Sequence, residues 1–419
     1  MIASFLLVIG ATASAQDWAP SPVAFKFQRG APTIAVMAKP VFTPGDWLGY
    51  LAYIDASAGA QNAGKNSIDF LVDREVMAPA LAAVSGARNS IHIEVFQYQA
   101  DKIGWSLARV LAKKAAGGVR VRVLLDAKGS NTDHQDVKAL LGYLRGEGVH
   151  VLVRPAPPLD THLDHRKVMV VDGLIGFTGG MNIGETYQEQ WHDQQSLIRG
   201  PAVALLQKAF LSQWQAVGGT TEPGENLLPP SADQPDGAQT RVVAHLGADH
   251  DQNIRRAYLA AFATSQKLIR IADPYFVDAG VIKALETAAR RGVKVQIVLP
   301  AKNNIKLMQD ASRAFYPDLL SAGAEVYEYQ NRMAHEKVAV IDDYWTTFGS
   351  SNLDPRSLVH NDELNIVATD ARLASTVNAK LFEPDLRQSR RILSHKVTAA
   401  ERAARAIAGQ LFTDDPMVP

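Results

Sequence analysis

The stretch His165-Arg166-Lys167-Val168-Met169-Val170-Val171-Asp172, with Gly179-Gly180-Met181-Asn182 and Asp193 behind it, decides the fold, because it is present twice. It returns as His335-Glu336-Lys337-Val338-Ala339-Val340-Ile341-Asp342, then Gly349-Ser350-Ser351-Asn352 and Glu363, at a constant offset of 170 residues. The runs Val168–Val171 and Val338–Ile341 are rich in β-branched residues, and residues two apart on a strand share a face. His165 and Lys167, and likewise His335 and Lys337, therefore project side by side. Asp172 and Asp342 have the opposite parity and fall at a turn, which points to a supporting role there. The small residues that follow let the backbone approach an anion, and Asn182 and Asn352 each carry an amide that can donate to phosphate oxygen.

Working outward, both copies sit in the same local grammar. Strand character at 90–96 is followed by a helical stretch at 103–116 and a second strand at 119–125. In the other copy the strand at 268–271 is followed by a helix at 280–290 and a strand at 293–299. Alternating apolar residues mark the strands and glycines mark the helix ends. A further helix and short strand end each set, at 148–153 and 323–327. Strand–helix–strand order implies parallel pairing with right-handed crossovers. The expected fold is α/β: two tandem domains, each a mixed, largely parallel β-sheet flanked by helices, related by pseudo-two-fold symmetry. The domains are placed at 66–220 and 241–395, with a Pro- and Gly-rich linker at 221–240. Residues 16–65 read as a loosely packed extension, and 396–419 as a C-terminal helix and tail. That Ala-rich helix, Val397 to Phe412, is expected to pack on the domain rather than lie on a membrane.

Bulk composition narrows the chemistry. The 419 residues are 47% apolar and 21% charged with zero formal net charge, so no global field draws in nucleic acid. The absence of cysteine excludes disulfides, thiolate catalysis and zinc–thiolate sites. Residues 1–15 combine an apolar run with Ala13-Ser14-Ala15, a signal-peptide pattern that would leave Gln16 as the mature N-terminus and place the protein in the periplasm or outside the cell. No apolar run reaches the length of a membrane span.

Paired His and Lys suit phosphodiester chemistry. One histidine can attack phosphorus and form a phospho-histidine, while the other protonates the leaving alkoxide and then activates the acceptor. Two lysines and two asparagines can neutralise the transition state. Asp193 and Glu363 are the candidates to fix each imidazole's tautomer. The symmetry of the sequence leaves open which histidine attacks. His162 reads as a polar loop residue; no metal-ligand set and no cofactor is expected.

These residues resemble the phospholipase D superfamily, whose signature is H-x-K-x4-D with a downstream G-G/S-x-N, over roughly residues 66–395. Gly349 to Ser357 with Asn361 to Asn365 is similar to the second motif of bacterial cardiolipin synthases. Trp191-His192-Asp193, Gly200-Pro201-Ala202-Val203 and Phe210 to Trp214 resemble the segment after their first motif. The resemblance implies two phospholipase D-like domains sharing one site and a ping-pong route, with His165 as nucleophile and His335 as acid/base. It implies a phospholipid substrate; peripheral membrane contact and a monomer are expected, and zero net charge argues against a nucleic-acid partner. Lacking the paired N-terminal membrane helices of many cardiolipin synthases, the chain reads as a cardiolipin synthase-like transferase or a secreted phospholipase D. A metal-independent endonuclease and a non-catalytic lipid-binding module are the competing readings. Asp343-Tyr344-Trp345, bulkier than Gly173-Leu174-Ile175, is expected to make the two halves line different sides of the substrate. Pro274-Tyr275-Phe276 reads as core packing first and pocket mouth second.

Overall fold

The computed structural model describes residues 42–57, 59–156, 162–247 and 251–410; the candidate leader, residues 1–15, lies outside them. The first half contributes strands β1 (Ala60–Val72), β2 (Ser90–Val95), β3 (Arg120–Asp126), β4 (His150–Arg154), β5 (Lys167–Val171), β6 (Ile175–Gly179), β7 (Trp191–His192) and β8 (Gln194–Arg199). The second contributes β9 (Ala238–His245), β10 (Leu268–Ala272), β11 (Lys294–Pro300), β12 (Glu325–Tyr329), β13 (Met333–Ala334), β14 (Val338–Ile341), β15 (Trp345–Gly349), β16 (Glu363–Thr369) and β17 (Ser389–Ile392).

All but β7 and β13 join one sheet, ordered β17-β12-β11-β10-β14-β15-β16-β9-β1-β8-β6-β5-β2-β3-β4. Read outward from the centre, β1-β8-β6-β5-β2-β3-β4 matches β9-β16-β15-β14-β10-β11-β12, so the pseudo-dyad passes between β1 and β9. Those two strands pair antiparallel, Ala60 opposite Val243 and Asn66 opposite Ala238. The sheet is mixed, and its parallel part is smaller than the strand–helix–strand grammar led us to expect. It is confined to β2-β3-β4 and β10-β11-β12. The motif strands instead enter by hairpins, β5 with β6 and β14 with β15, which short turns make antiparallel.

Helices cover both faces: α1 (Trp47–Ser57), α2 (Met77–Gly86), α3 (Lys102–Ala116), α4 (Gln135–Gly146), α5 (Ala202–Ala216), α6 (Asn253–Thr264) and α7 (Ala279–Arg290). Helix α3 starts at Asp101, whose carboxylate accepts the Gly104 N–H at 2.9 Å, and presents Ala108 and Leu111 to Ile91, Ile93 and Val123. On the opposite face, α5 packs Val203 and Leu206 onto Val168 and Val170 in a core that continues into Val338, Val340 and Phe348. One hydrophobic core thus crosses the seam between the halves.

Three expectations need correction. Residues 47–65, read as part of a loose extension, form α1 and the start of the central strand β1; Tyr50 and Ile54 are fully buried. Helix α1 is apolar around most of its circumference, so no stripe marks its buried face, and its partners Tyr258 and Trp345 lie about 200 and almost 300 residues away. The 221–240 segment is pinned rather than free: Glu225 pairs with Arg122 at 2.7 Å, Leu227 is buried, and β9 already begins at Ala238. Third, Tyr344 and Trp345 stand at the hairpin end remote from His335. Trp345 is fully buried and donates to the Tyr50 hydroxyl at 2.9 Å, so its bulk fills the space under α1 and touches no substrate. The C-terminal helix, Ala399–Gln410, packs on the domain through Ala404 and Ala408 and an Arg405–Asp318 ion pair at 3.1 Å. Among the described residues no helix is long and apolar enough to cross a membrane.

Candidate active site

The two repeats converge where β5 and β14 begin. Each motif histidine is tethered by its backbone to the other half: His165 N–H donates to the Asp362 carbonyl at 3.0 Å and His335 N–H to the His192 carbonyl at 2.7 Å. The short parallel pair β7-β13 sets Trp191 beside Met333 and His192 beside Ala334. These crossings deliver the carboxylates. His165 Nδ1 lies 3.0 and 3.1 Å from the oxygens of Glu363, and His335 Nδ1 lies 2.7 Å from Asp193 Oδ2. Each imidazole is therefore held by an acid from the opposite half, leaving Nε2 for chemistry. Both rings line a single cleft of about 570 Å³, together with Asn182 and Asn352.

Lys167 and Lys337 emerge beside their histidines, as the strand period requires, and each ammonium donates to the carbonyl of the histidine two residues back. Both are buried. Burial pulls Lys167 down to about 7 against the pull of Glu363, and it also lowers Lys337. The Asn182 amide oxygen accepts the Gln97 N–H at 3.1 Å, which commits its oxygen and leaves its NH₂ as the donor beside the Tyr187 hydroxyl. Asn352 donates to the Ser357 hydroxyl at 3.2 Å.

Asp172 and Asp342 lie away from the cleft. Both adopt left-handed backbone (φ 54° and 53°) at the hairpin turn. The Asp172 carboxylate accepts the N–H groups of Arg88, Asn89 and Ser90 at 2.9, 2.7 and 2.9 Å. Asp342 accepts those of Gln266, Lys267 and Leu268 at 2.9, 2.7 and 3.0 Å. They clamp the motif hairpin to the start of the neighbouring strand. His162 lies 2.8 Å from Asp362 Oδ1, an ion-pair partner.

The electrostatics break the symmetry. Burial alone would raise Glu363, but His165, Lys167 and the Ser350 hydroxyl outweigh it and hold the carboxyl at about 2. Asp193 lacks that hydroxyl, since Gly180 stands where Ser350 does, and burial raises it to about 7 despite Lys337. Burial lowers both histidines; for His335 the charges of Lys337 and Lys167 add to the effect. Glu363 is thus a fixed anion behind His165, while the His335–Asp193 pair holds an exchangeable proton.

Sequence reasoning missed several wall residues. Phe96 meets the His165 ring at 4.9 Å, and Tyr187 and Trp191 flank His335 at 5.5 and 4.8 Å. Tyr275 lines the cleft mouth and bonds Asn304 at 2.7 Å, whereas its neighbour Phe276 is core. Lys128 and Arg356 also line the cleft. Phe96, Trp191, Tyr275 and Arg356 fell within stretches marked by the sequence; Lys128 and Tyr187 did not.

A family model described as cardiolipin synthase, PLD-like domain, matches residues 81–214 and 258–384. A probable cardiolipin synthase, YwiE, of Bacillus subtilis (strain 168) is 32% identical over 369 residues, covering 83% of this chain and 72% of the relative. The cardiolipin synthase of Geobacillus kaustophilus (strain HTA426) is 34% identical over 358 residues, covering 82% and 70%. Among solved structures, the phosphatidylserine synthase of Haemophilus influenzae Rd KW20 superposes with a TM-score of 0.62 at 15% identity, covering 82% of this chain and 92% of its own; at that identity the likeness is one of fold. With the duplicated motif, the shared cleft and the matched model in agreement, the chain belongs to the phospholipase D-like family of cardiolipin synthases.

Proposed function

We propose that this protein is a phospholipid phosphatidyltransferase of the cardiolipin synthase type, working by double displacement. The observation that carries the reading is the crossed pair of acid–imidazole contacts lining one cleft. His165, neutral at Nε2 with Nδ1 held by anionic Glu363, attacks phosphorus and forms a phospho-histidine. The His335–Asp193 pair, which shares one acidic proton, delivers a proton from His335 Nε2 to the departing alkoxide. The pair, now one proton short, takes the proton of an incoming hydroxyl, which displaces His165 and restores the resting state. Lys167, Lys337 and the two asparagine amides face the charge that develops on the equatorial oxygens.

Lipid rather than nucleic acid suits the walls. Phe96, Leu163, Trp191, Tyr275, Ile305 and Met308 line the cleft, and Ile305 is exposed at its rim. These side chains support docking at a membrane surface, and the zero net charge offers nucleic acid no attracting field. The leader-like residues 1–15 support export to the periplasm or beyond, which N-terminal sequencing of the mature protein tests.

The deciding experiment incubates the purified protein with phosphatidylglycerol vesicles and resolves products by mass spectrometry. Cardiolipin with release of glycerol is the expected product. Phosphatidic acid alone would assign a hydrolase instead. No change in any phosphodiester, or full turnover by His165→Ala, would refute the reading.

A further inference from the structure

Glu336, the middle residue of the second His-x-Lys, points to the opposite face from His335 and Lys337, away from the cleft. It is fully buried, and neither carboxylate oxygen has a hydrogen-bond partner. Beside it stand His192 and Asp385; the Nε2 of His192 and one oxygen from each acid lie within 4.8 Å of one another. His192 Nε2 is 3.1 Å from Asp385 Oδ1, and Asp385 Oδ2 is also buried without a partner. The other ring nitrogen, Nδ1, is held at 3.0 Å by both oxygens of Asp73, which is itself paired with Arg332. Carboxylate–histidine contacts of this kind orient metal-binding imidazoles: the outer acid fixes the Nδ1–H tautomer and presents the Nε2 lone pair.

The pseudo-symmetric position sharpens the argument. Glu336 corresponds to Arg166, and His192 corresponds to Asp362. In the first half the Arg166 guanidinium sits between Glu94 at 2.7 Å and Asp164 at 3.1 Å, with Asp362 nearby, so a resident cation satisfies the acids. In the second half a carboxylate stands where that guanidinium is, and the single imidazole of His192 serves the acids of Asp73, Glu336 and Asp385, leaving both Glu336 oxygens and Asp385 Oδ2 without a hydrogen-bond partner. Burying carboxylate oxygens in that state is costly.

We infer that His192, Glu336 and Asp385 form a structural site for one divalent transition-metal ion, with zinc the best match. Zinc accepts one imidazole nitrogen and carboxylate oxygens at about 2.0–2.2 Å in tetrahedral array, so the widest ligand pair would close by about 1.5 Å. The ion would join His192 of the first half to Glu336 and Asp385 of the second, one residue removed from Asp193, His335 and Lys337. It would brace the catalytic floor without entering the cleft. The spacing 192, 336 and 385 has no sequence signature, which is why no ligand set was expected from the sequence.

The test uses the full chain, freed of metal by EDTA and dialysis, then titrated with zinc chloride. Bound zinc is counted by elemental mass spectrometry, and thermal melting is followed in parallel. The expected result is one tightly held zinc per chain with a rise in Tm. Glu336→Gln and Asp385→Asn should each weaken binding by about tenfold or more and abolish the rise. Failure of the wild type to retain stoichiometric zinc would overturn the inference, as would unchanged binding in a folded variant. The wild-type stoichiometry decides even if one variant does not fold. None of these readouts depends on lipid turnover, so the transferase reading stands or falls separately.

Discussion

Replacing Glu363 by glutamine keeps the shape of the side chain and removes the charge that faces His165. The wild-type carboxyl is held at about 2 against an ordinary 4.5, which corresponds to a preference for the anion of about 3 kcal/mol. Most of that preference comes from groups the reaction needs, His165 and Lys167. During attack His165 passes from neutral imidazole to a cationic phospho-histidine, and the fixed anion stabilises that change. Glu363→Gln should therefore lower kcat by about 100-fold with KM little altered. The glutamine carbonyl can still accept from Nδ1–H, so the ring keeps its place. A single-turnover assay with short-chain phosphatidylglycerol reads the effect free of vesicle binding. There is a second readout in stability. A carboxyl depressed on folding stabilises the native state above its ordinary value and ceases to do so as pH falls through its folded value. The Tm gap between wild type and variant should thus be largest at neutral pH and close between about pH 4.5 and 2. A variant within threefold of wild-type kcat, with intact melting, would refute the role given to this carboxylate.

Three further outcomes follow from the same geometry. The His335–Asp193 pair must carry a proton to act as acid, and Asp193 stands at about 7, so kcat should be maintained below that pH and fall as pH rises through it; a profile flat from 6 to 9 would contradict the assignment. Gly180→Ala puts a methyl group 2.5 Å from Asp193 Oδ1 and 3.3 Å from Lys337 Cδ, so the carboxylate must shift; kcat should drop by about tenfold while circular dichroism stays that of wild type. Asp172→Ala deprives three backbone N–H groups of their acceptor and should cost about 2 kcal/mol in urea unfolding, with the activity per folded molecule unchanged.

The catalytic constellation was legible because duplication made it so. Strand parity alone placed His165 beside Lys167 and set Asp172 at a turn. The partners Asp193 and Glu363 were also visible, as the last polar match between the copies. Their crossing was not, because backbone pairings such as Asp362 with Leu163 join residues nearly 200 apart and leave no periodic trace. The extent of parallel pairing was over-read for a similar reason: β2 and β3 follow the strand–helix–strand rule, but β5 and β6 obey their turn. Helix α1 and β1 were hidden because α1 is apolar nearly all round, without a helical stripe, and both face partners distant in sequence, Trp345 and β9. Tyr344 and Trp345 were misplaced because side-chain bulk says nothing of which end of a hairpin it occupies.

The seam between β1 and β9 bears on how such a molecule can be taken apart. Cutting the chain near residue 230 would expose two bare strand edges, each ready to accept a copy of itself. Two identical first halves joined that way would set Arg166 against His192, base facing base. Two second halves would set Glu336 against Asp362, acid facing acid. Charge therefore forbids the self-pairings and favours the unlike match, so co-expressed fragments should reassemble as a heterodimer, and neither fragment alone should rebuild the site.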